Sequence, residues 1–365
     1  MRVPARRLAL LRAPAYRLLV RRLRLVPRSS SARPYAMLGW ARLAELRWRR
    51  RLRRQPVLGG AEYAAGAVVG EIEELLACHL CGETRVQPLF EPTRPGRWTY
   101  QVVRCPSCGF LYRNPGVRPE RLGDLYAKGD YGRFLTGRYA RHRRRNYRRI
   151  MAEFAPLFDD GAGRRLLDYG SGAGLFLEVA HKRGFEAYGV DLSPDAVALA
   201  RRRPGAERSY LGSPADVPEV APGGFDVVTM WSVLAHLPRP VDDLRMLRGL
   251  LAPDGVLLIS TVNANSLLLK AYGEGWGGFA PNHLVFFSPV TLPVLLRRAG
   301  FEAMVVRPMY GIPEGRKARL TPRQERRLRR AVERDNQGRM LRAAAFATRE
   351  GPARLGLERE ATVLP

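Results

Sequence analysis

The chain has 365 residues, 46% of them hydrophobic, enough for one large domain with appendages or two domains around a substantial core. It contains no run of 18 or more apolar residues, which excludes a membrane-spanning helix by length. The formal net charge of +28 is concentrated at the ends: residues 1–58 carry 17 Arg against one acid and residues 316–365 carry 14 basic against six acidic groups. The stretch between them is nearly neutral. Only four of the 62 basic residues are Lys, a bias that looks like the imprint of a GC-rich genome and weakens any reading of the arginines as selected for phosphate binding.

Residues 1–58 set Arg in twos and threes among Leu, Ala and Val, as in Arg21-Arg22-Leu23-Arg24-Leu25. Three readings stand: a poorly ordered or helical basic tail, with Met37 as an alternative start; a basic amphipathic helix on an anionic membrane; or a nucleic-acid or targeting arm. All four cysteines follow, as Cys78-His79-Leu80-Cys81-Gly82 and Cys105-Pro106-Ser107-Cys108-Gly109. Two C-x-x-C pairs separated by 23 residues approximate a zinc ribbon over 76–115, each pair forming a turn that aims two thiolates at one metal. Four thiolates complete a tetrahedral shell, so the zinc is expected to be structural. A redox pair or two disulfides are the alternatives. Thiolate ligands place the chain in a reducing, cytoplasmic compartment. Residues 116–155 read as a connector with Leu122, Leu125, Tyr126, Tyr131 and Phe134, ending in an Arg-rich helix over 137–156 whose Tyr147, Ile150 and Phe154 face the core. Its arginines read as a solvated face.

The stretch 156–350 alternates strands and helices, which implies a doubly wound, mostly parallel sheet, and 351–365 is left as a tail. Arg165 to Tyr169 reads as a buried strand, Gly170-Ser171-Gly172-Ala173-Gly174 as a tight turn, and Leu175 to Arg183 as a helix. A second strand ends at Asp191, where a carboxylate can grip the hydroxyls of a ribose. A nucleoside-containing cofactor is the direct inference, and G-x-G-x-G in place of G-x-G-x-x-G suits a ligand without a pyrophosphate. Ser193-Pro194 opens a helix. Phe225 to Trp231 is a fourth strand running into Ser232 and His236, and Val256 to Thr261 is a fifth. Residues 262–292, with Trp276, Phe279 and His283 among glycines, suggest a mobile lid or a substrate wall. Leu341 to Thr348 is expected to pair with 301–307 and close the sheet on an antiparallel edge.

Over residues 76 to about 310 these landmarks resemble the class I S-adenosylmethionine-dependent methyltransferases that carry an N-terminal zinc ribbon. The resemblance rests on both cysteine knuckles with Cys108-Gly109-Phe110-Leu111-Tyr112, the turn at 168–174, the strand at 225–231 running to His236-Leu237, and Pro281-Asn282-His283-Leu284-Val285-Phe286-Phe287. It implies a seven-stranded Rossmann-like α/β sheet and methyl transfer from S-adenosyl-L-methionine to a small-molecule or glycan acceptor. The family pattern then assigns the cofactor to Asp168, Gly170, Ser171, Gly172, Gly174, Asp191, Leu192, Ser213, Pro214, Ala215, Trp231 and Ser232. Zinc goes to Cys78, Cys81, Cys105 and Cys108. His236 and His283 are the candidate general bases, though each can equally be a structural histidine. Three departures stand out: Ala235 precedes His236 where the family often has Glu, Ser213 lies where an acid is common near the adenine, and both termini fall outside the pattern. Two other readings remain open: an RNA methyltransferase using ribbon and basic arm for phosphates, and a non-catalytic scaffold docked on the inner face of a membrane.

Overall fold

A computed structural model describes residues 33–59, 73–91, 100–123, 137–155, 161–217, 219–280, 282–309, 322–350 and 362–363. The expectations made for residues 1–32, for Leu125, Tyr126, Tyr131, Phe134 and Pro281, and for 351–361 lie outside the described residues. The chain opens with α1 (Arg33–Arg54), then β1 (Glu73–Glu74), β2 (Gln87–Phe90), β3 (Val102–Arg104), β4 (Leu111–Arg113), β5 (Gly116–Val117) and α2 (Gly137–Glu153). The alternating region follows as β6 (Arg165–Tyr169), α3 (Leu175–His181), β7 (Glu186–Asp191), α4 (Pro194–Ala200), β8 (Ser209–Leu211), β9 (Phe225–Trp231), α5 (Pro240–Leu250) and β10 (Leu251–Val262). Last come α6 (Leu267–Tyr272), β11 (Val285–Phe286), α7 (Thr291–Arg298), β12 (Ala303–Met309), α8 (Pro322–Arg334), β13 (Met340–Phe346) and β14 (Thr362–Val363).

The main sheet runs β14-β12-β13-β10-β9-β6-β7-β8. Strands β8, β7, β6, β9 and β10 are mutually parallel, while β13 is antiparallel to both of its neighbours. This is the expected doubly wound, mostly parallel Rossmann-like sheet of seven strands, to which the two-residue β14 adds an eighth at the edge. The last strand does pair with β12, but it is not the edge. It inserts between β12 and β10, where Ala343, Ala344 and Ala345 are buried. The chain winds outward from β6 through β7 to β8 and then reverses to β9 and β10. The crevice at the β6/β9 reversal, at the carboxyl ends of the strands, is where such sheets hold ligands.

Two accessory elements pack on this sheet. The cysteine ribbon forms a second sheet, β11-β4-β3-β2, whose fourth strand comes from residues 285–286. The N-terminal tail becomes ordered helix over α1. Glu45 there pairs with the nearly buried Lys270 of α6 at 2.6 Å, and Trp48 stacks on Phe90 of β2 with ring centroids 6.0 Å apart. The Gly- and aromatic-rich stretch after β10 packs as a wall, with Trp276 and Phe279 buried against Phe286 and Phe90.

One charged group sits inside the sheet itself. Asp168 pairs in register with Thr229 of β9, is 2% exposed, and accepts a 2.6 Å hydrogen bond from the Thr229 hydroxyl. Burial pushes its pKa up to about 7, with the Thr229 bond pulling the other way. An unfolded Asp titrates near 3.9, so between about pH 4 and pH 7 the native chain binds the extra proton and stability falls as pH rises. Asp168→Asn is therefore expected to flatten the stability–pH curve in that window, with a gap to wild type on the order of a few kcal/mol above pH 7. Urea titrations of both proteins from pH 4 to pH 8 check it; parallel curves refute it.

Candidate active site

The cleft at the sheet reversal has a volume of about 690 Å³. Its floor is the glycine turn after β6. The Val190 carbonyl at the end of β7 accepts the N–H groups of Gly170 and Ser171 at 2.8 and 3.0 Å. The Asp191 carboxylate accepts the N–H groups of Gly172 at 2.8 Å and Ser193 at 2.9 Å. Burial raises the Asp191 pKa against those amide bonds. Gly172 has φ +53, and a Cβ built there meets no atom within 4 Å, so the turn faces open space. Gly174 has φ +71 for a different reason: a Cβ would meet Ala206 at 2.8 Å, so this glycine lets α3 close on its neighbours.

Of the residues assigned to a nucleoside cofactor, Gly170, Ser171, Gly172, Asp191, Leu192, Ser213, Trp231 and Ser232 line the cleft. Asp168, Gly174, Pro214 and Ala215 do not. Asp168 lies beneath the turn in the sheet, Gly174 packs at the start of α3, and Pro214 and Ala215 turn away in a short 3₁₀ segment. Asp216 does not reach the cleft either: its carboxylate accepts the backbone N–H and the hydroxyl of Ser213 at 3.0 and 2.9 Å and caps that segment. Two lining atoms, Ser171 Oγ and Trp231 Nε1, are buried with no hydrogen-bond partner among the described residues. Ser232, at the end of β9, is held at φ +64, a conformation that costs a non-glycine residue on the order of 1–3 kcal/mol and gathers at functional sites. Open backbone, orphaned donors and an acid at the second strand fit a nucleoside cofactor bearing an amino-acid arm.

Helix α2 contributes a wall that the sequence reading missed. Tyr139, Arg143 and Tyr147 recur every four residues on one face and line the cleft. The Arg143 guanidinium lies 5.7 and 5.5 Å from the two tyrosine ring centres. Tyr147 also packs near Trp231, with centroids 6.5 Å apart. The i, i+4, i+8 spacing of Tyr-Arg-Tyr was the available signal, submerged among neighbouring arginines of which Arg141, Arg145, Arg148 and Arg149 are exposed.

At the opposite end His236 and His283 meet edge to face with centroids 4.7 Å apart. His236 Nδ1 lies 2.8 Å from the Asn282 carbonyl, and burial drives its pKa down to about 3, so the ring is neutral. His283 Nδ1 lies 2.6 Å from the Gly278 carbonyl. A carbonyl accepts only, so in a neutral His283 ring Nδ1 carries the proton, whereas His236 also meets the Ser232 backbone. Tyr169, on the same side, donates from its hydroxyl to Asp243 Oδ1 at 2.8 Å.

The four cysteine sulfurs lie within 4.8 Å of one another. In each knuckle the glycine N–H bonds back to the first cysteine carbonyl, Gly82 to Cys78 at 2.9 Å and Gly109 to Cys105 at 3.0 Å, and Cys108 N–H points at Cys105 Sγ at 3.4 Å. Four convergent sulfurs with amide support match a tetrahedral thiolate site, the donor set zinc prefers.

Residues 139–305 match a methyltransferase domain family. The ubiquinone biosynthesis O-methyltransferase of Xanthomonas euvesicatoria pv. vesicatoria is 34% identical over 175 residues, 45% of this chain and 73% of that one. Its counterpart in Xanthomonas axonopodis pv. citri is 33% identical over 187 residues, 48% of this chain and 78% of that one. Among solved structures, a SAM-dependent methyltransferase from Archaeoglobus fulgidus aligns with a TM-score of 0.42 at 21% identity, covering 55% of this chain and 93% of that one. No helix among the described residues is long and apolar enough to cross a membrane. With the glycine turn, the acid at the end of the second strand and the sheet reversal already in place, the domain match and the two Xanthomonas relatives show that the chain belongs to the S-adenosylmethionine-dependent methyltransferases.

Proposed function

We propose that this chain methylates a hydroxyl oxygen of a small-molecule acceptor held between the glycine turn and the His236–His283 pair. The observation that carries the reading is the open face of Gly172 beside the Asp191 carboxylate, which leaves room for a nucleoside where a side chain would fill it. O-methylation is the activity named for the Xanthomonas relatives.

S-adenosylmethionine supplies a methyl group on a positively charged sulfur, and transfer leaves the thioether. The chain's own work is to bind, orient and take a proton. Each Asp191 oxygen already accepts one amide N–H and retains a lone pair for a ribose hydroxyl. Leu192 and Ser213 flank the base. Arg143 would meet the methionine carboxylate from the α2 wall. Holding donor and acceptor in line lowers the barrier by roughly 7–11 kcal/mol. His283 Nε2 takes the hydroxyl proton as the oxygen–carbon bond forms, and His236, neutral and tied to Asn282, buttresses it. The four cysteines hold a structural zinc.

A second, independent reading concerns location. On α1, Leu43, Leu46, Arg47, Arg50 and Arg54 are exposed along one stripe, with no acid among them. An Arg near an anionic bilayer contributes about 1 kcal/mol, and the two leucines suit its boundary, so α1 docks the chain peripherally on an anionic membrane surface.

Three outcomes are expected. Gly172→Ala should weaken S-adenosylhomocysteine binding by about tenfold or more in calorimetry, while the left-handed φ costs only about 1–2 kcal/mol of stability; equal affinity would remove the site. His283→Ala should lower kcat by roughly 10²–10⁴-fold with S-adenosylhomocysteine affinity retained, and an unchanged kcat would remove His283 as the base. Replacing Arg47, Arg50 and Arg54 together by Glu should abolish co-sedimentation with phosphatidylserine vesicles but not the weaker association with neutral ones; retained sedimentation refutes the docking face.

A further inference from the structure

The cysteine ribbon is joined to the catalytic domain at one place that bears on chemistry. Strand β11 pairs antiparallel with β4, Val285 opposite Tyr112 and Phe286 opposite Leu111. His283 therefore sits two residues before a strand that belongs to the ribbon's sheet. The backbone on either side of it is held at three points. Arg113 N–H donates to the Leu284 carbonyl at 2.7 Å, Leu284 N–H donates to the Ala235 carbonyl at 2.7 Å, and the Asn282 carbonyl contacts His236 Nδ1.

The ribbon's own geometry depends on its knuckles. Cys105 N–H bonds to the Phe110 carbonyl at 2.8 Å, which fixes the entry to β4, and the Phe110 ring packs on Phe287 at 5.1 Å. The line from sulfur cluster to acceptor end is thus short: second knuckle, β4, β11, His283. Among the described residues the glycine turn at the cofactor end has no such link. That turn is held by Val190 and Asp191, and strands β6, β7 and β8 pair only within the main sheet.

We infer that the ribbon is a positioning element for the acceptor-side histidines, so that metal at Cys78, Cys81, Cys105 and Cys108 sets where His283 and His236 stand and leaves cofactor binding untouched. The inference rests on the proposed zinc site and on His283 as proton acceptor.

The test uses the full chain, labelled with ¹⁵N, carrying five histidines. Long-range ¹H–¹⁵N spectra of the imidazoles are recorded with zinc bound, after chelation, and after zinc is restored, each alongside calorimetric titration with S-adenosylhomocysteine. Chelation should shift the ring signals of His236 and His283, reversibly, with S-adenosylhomocysteine affinity unchanged. Phe110→Ala, which leaves every cysteine in place, should retain zinc and that affinity while moving the same two signals. His236 and His283 signals that ignore chelation overturn the inference, as does a chain that takes up no zinc. Loss of S-adenosylhomocysteine affinity in step with the histidine shifts also overturns it, because the ribbon would then be a general stabiliser. A zinc-loaded wild type that binds no S-adenosylhomocysteine at the outset counts instead against the methyltransferase site.

Discussion

The Asp191 carboxylate joins the end of β7, the glycine turn after β6 and the start of α4 through two amide hydrogen bonds, to Gly172 and Ser193. The rest of the site depends on this bridge. A three-glycine turn has little intrinsic preference among its accessible conformations, so something outside it must hold it in one. The Val190 carbonyl takes the first two amides and Asp191 takes the third, which wraps the turn over the end of the neighbouring strand. The cleft is open because backbone alone forms that side, and its acid is already oriented before any ligand arrives.

Much of this was legible in the sequence, because it is local. The turn, the acid about 20 residues later, the helix cap at Ser193 and the paired knuckles each depend on residues close in sequence, and each appears where expected. Asp168 was read as a cofactor residue on the strength of its place beside the turn. Alternation along β6 instead points its side chain into the sheet toward Thr229, and burial makes it a titrating core group. The insertion of β13 was not legible for a related reason. An alanine-rich run suits either an edge or a centre, and only the gap between β10 and β12 decides.

What the sequence concealed is contact between segments far apart in the chain. Arg143 is one of seven arginines between 138 and 149. Composition alone marks them all as solvated, and among the described side chains the geometry of α2 turns Arg143, between Tyr139 and Tyr147, to the cleft. The glycine-rich stretch after β10 looked mobile because glycine is permissive. Its aromatic residues pack instead: Trp276 and Phe279 lose most of their surface against Phe90 and Phe286, a burial that opposes the entropy of a loose loop.

These contacts divide the active site into two walls of different origin. The cofactor wall is the backbone turn after β6 with side chains from β7, β9 and α2, all inside the stretch 139–305 that matches the methyltransferase domain family. The acceptor wall is side chain, and its support lies partly outside that stretch: β4 pairs with β11 under His283, while Glu45 of α1 holds Lys270 of α6. A wall built on backbone amides tolerates change in the side chains around it, so the cofactor can be shared across a family. A wall built on packing from added elements changes whenever those elements change. Neither the ribbon nor α1 places a described side chain in the cleft, so both act on that wall only through the elements they pack against.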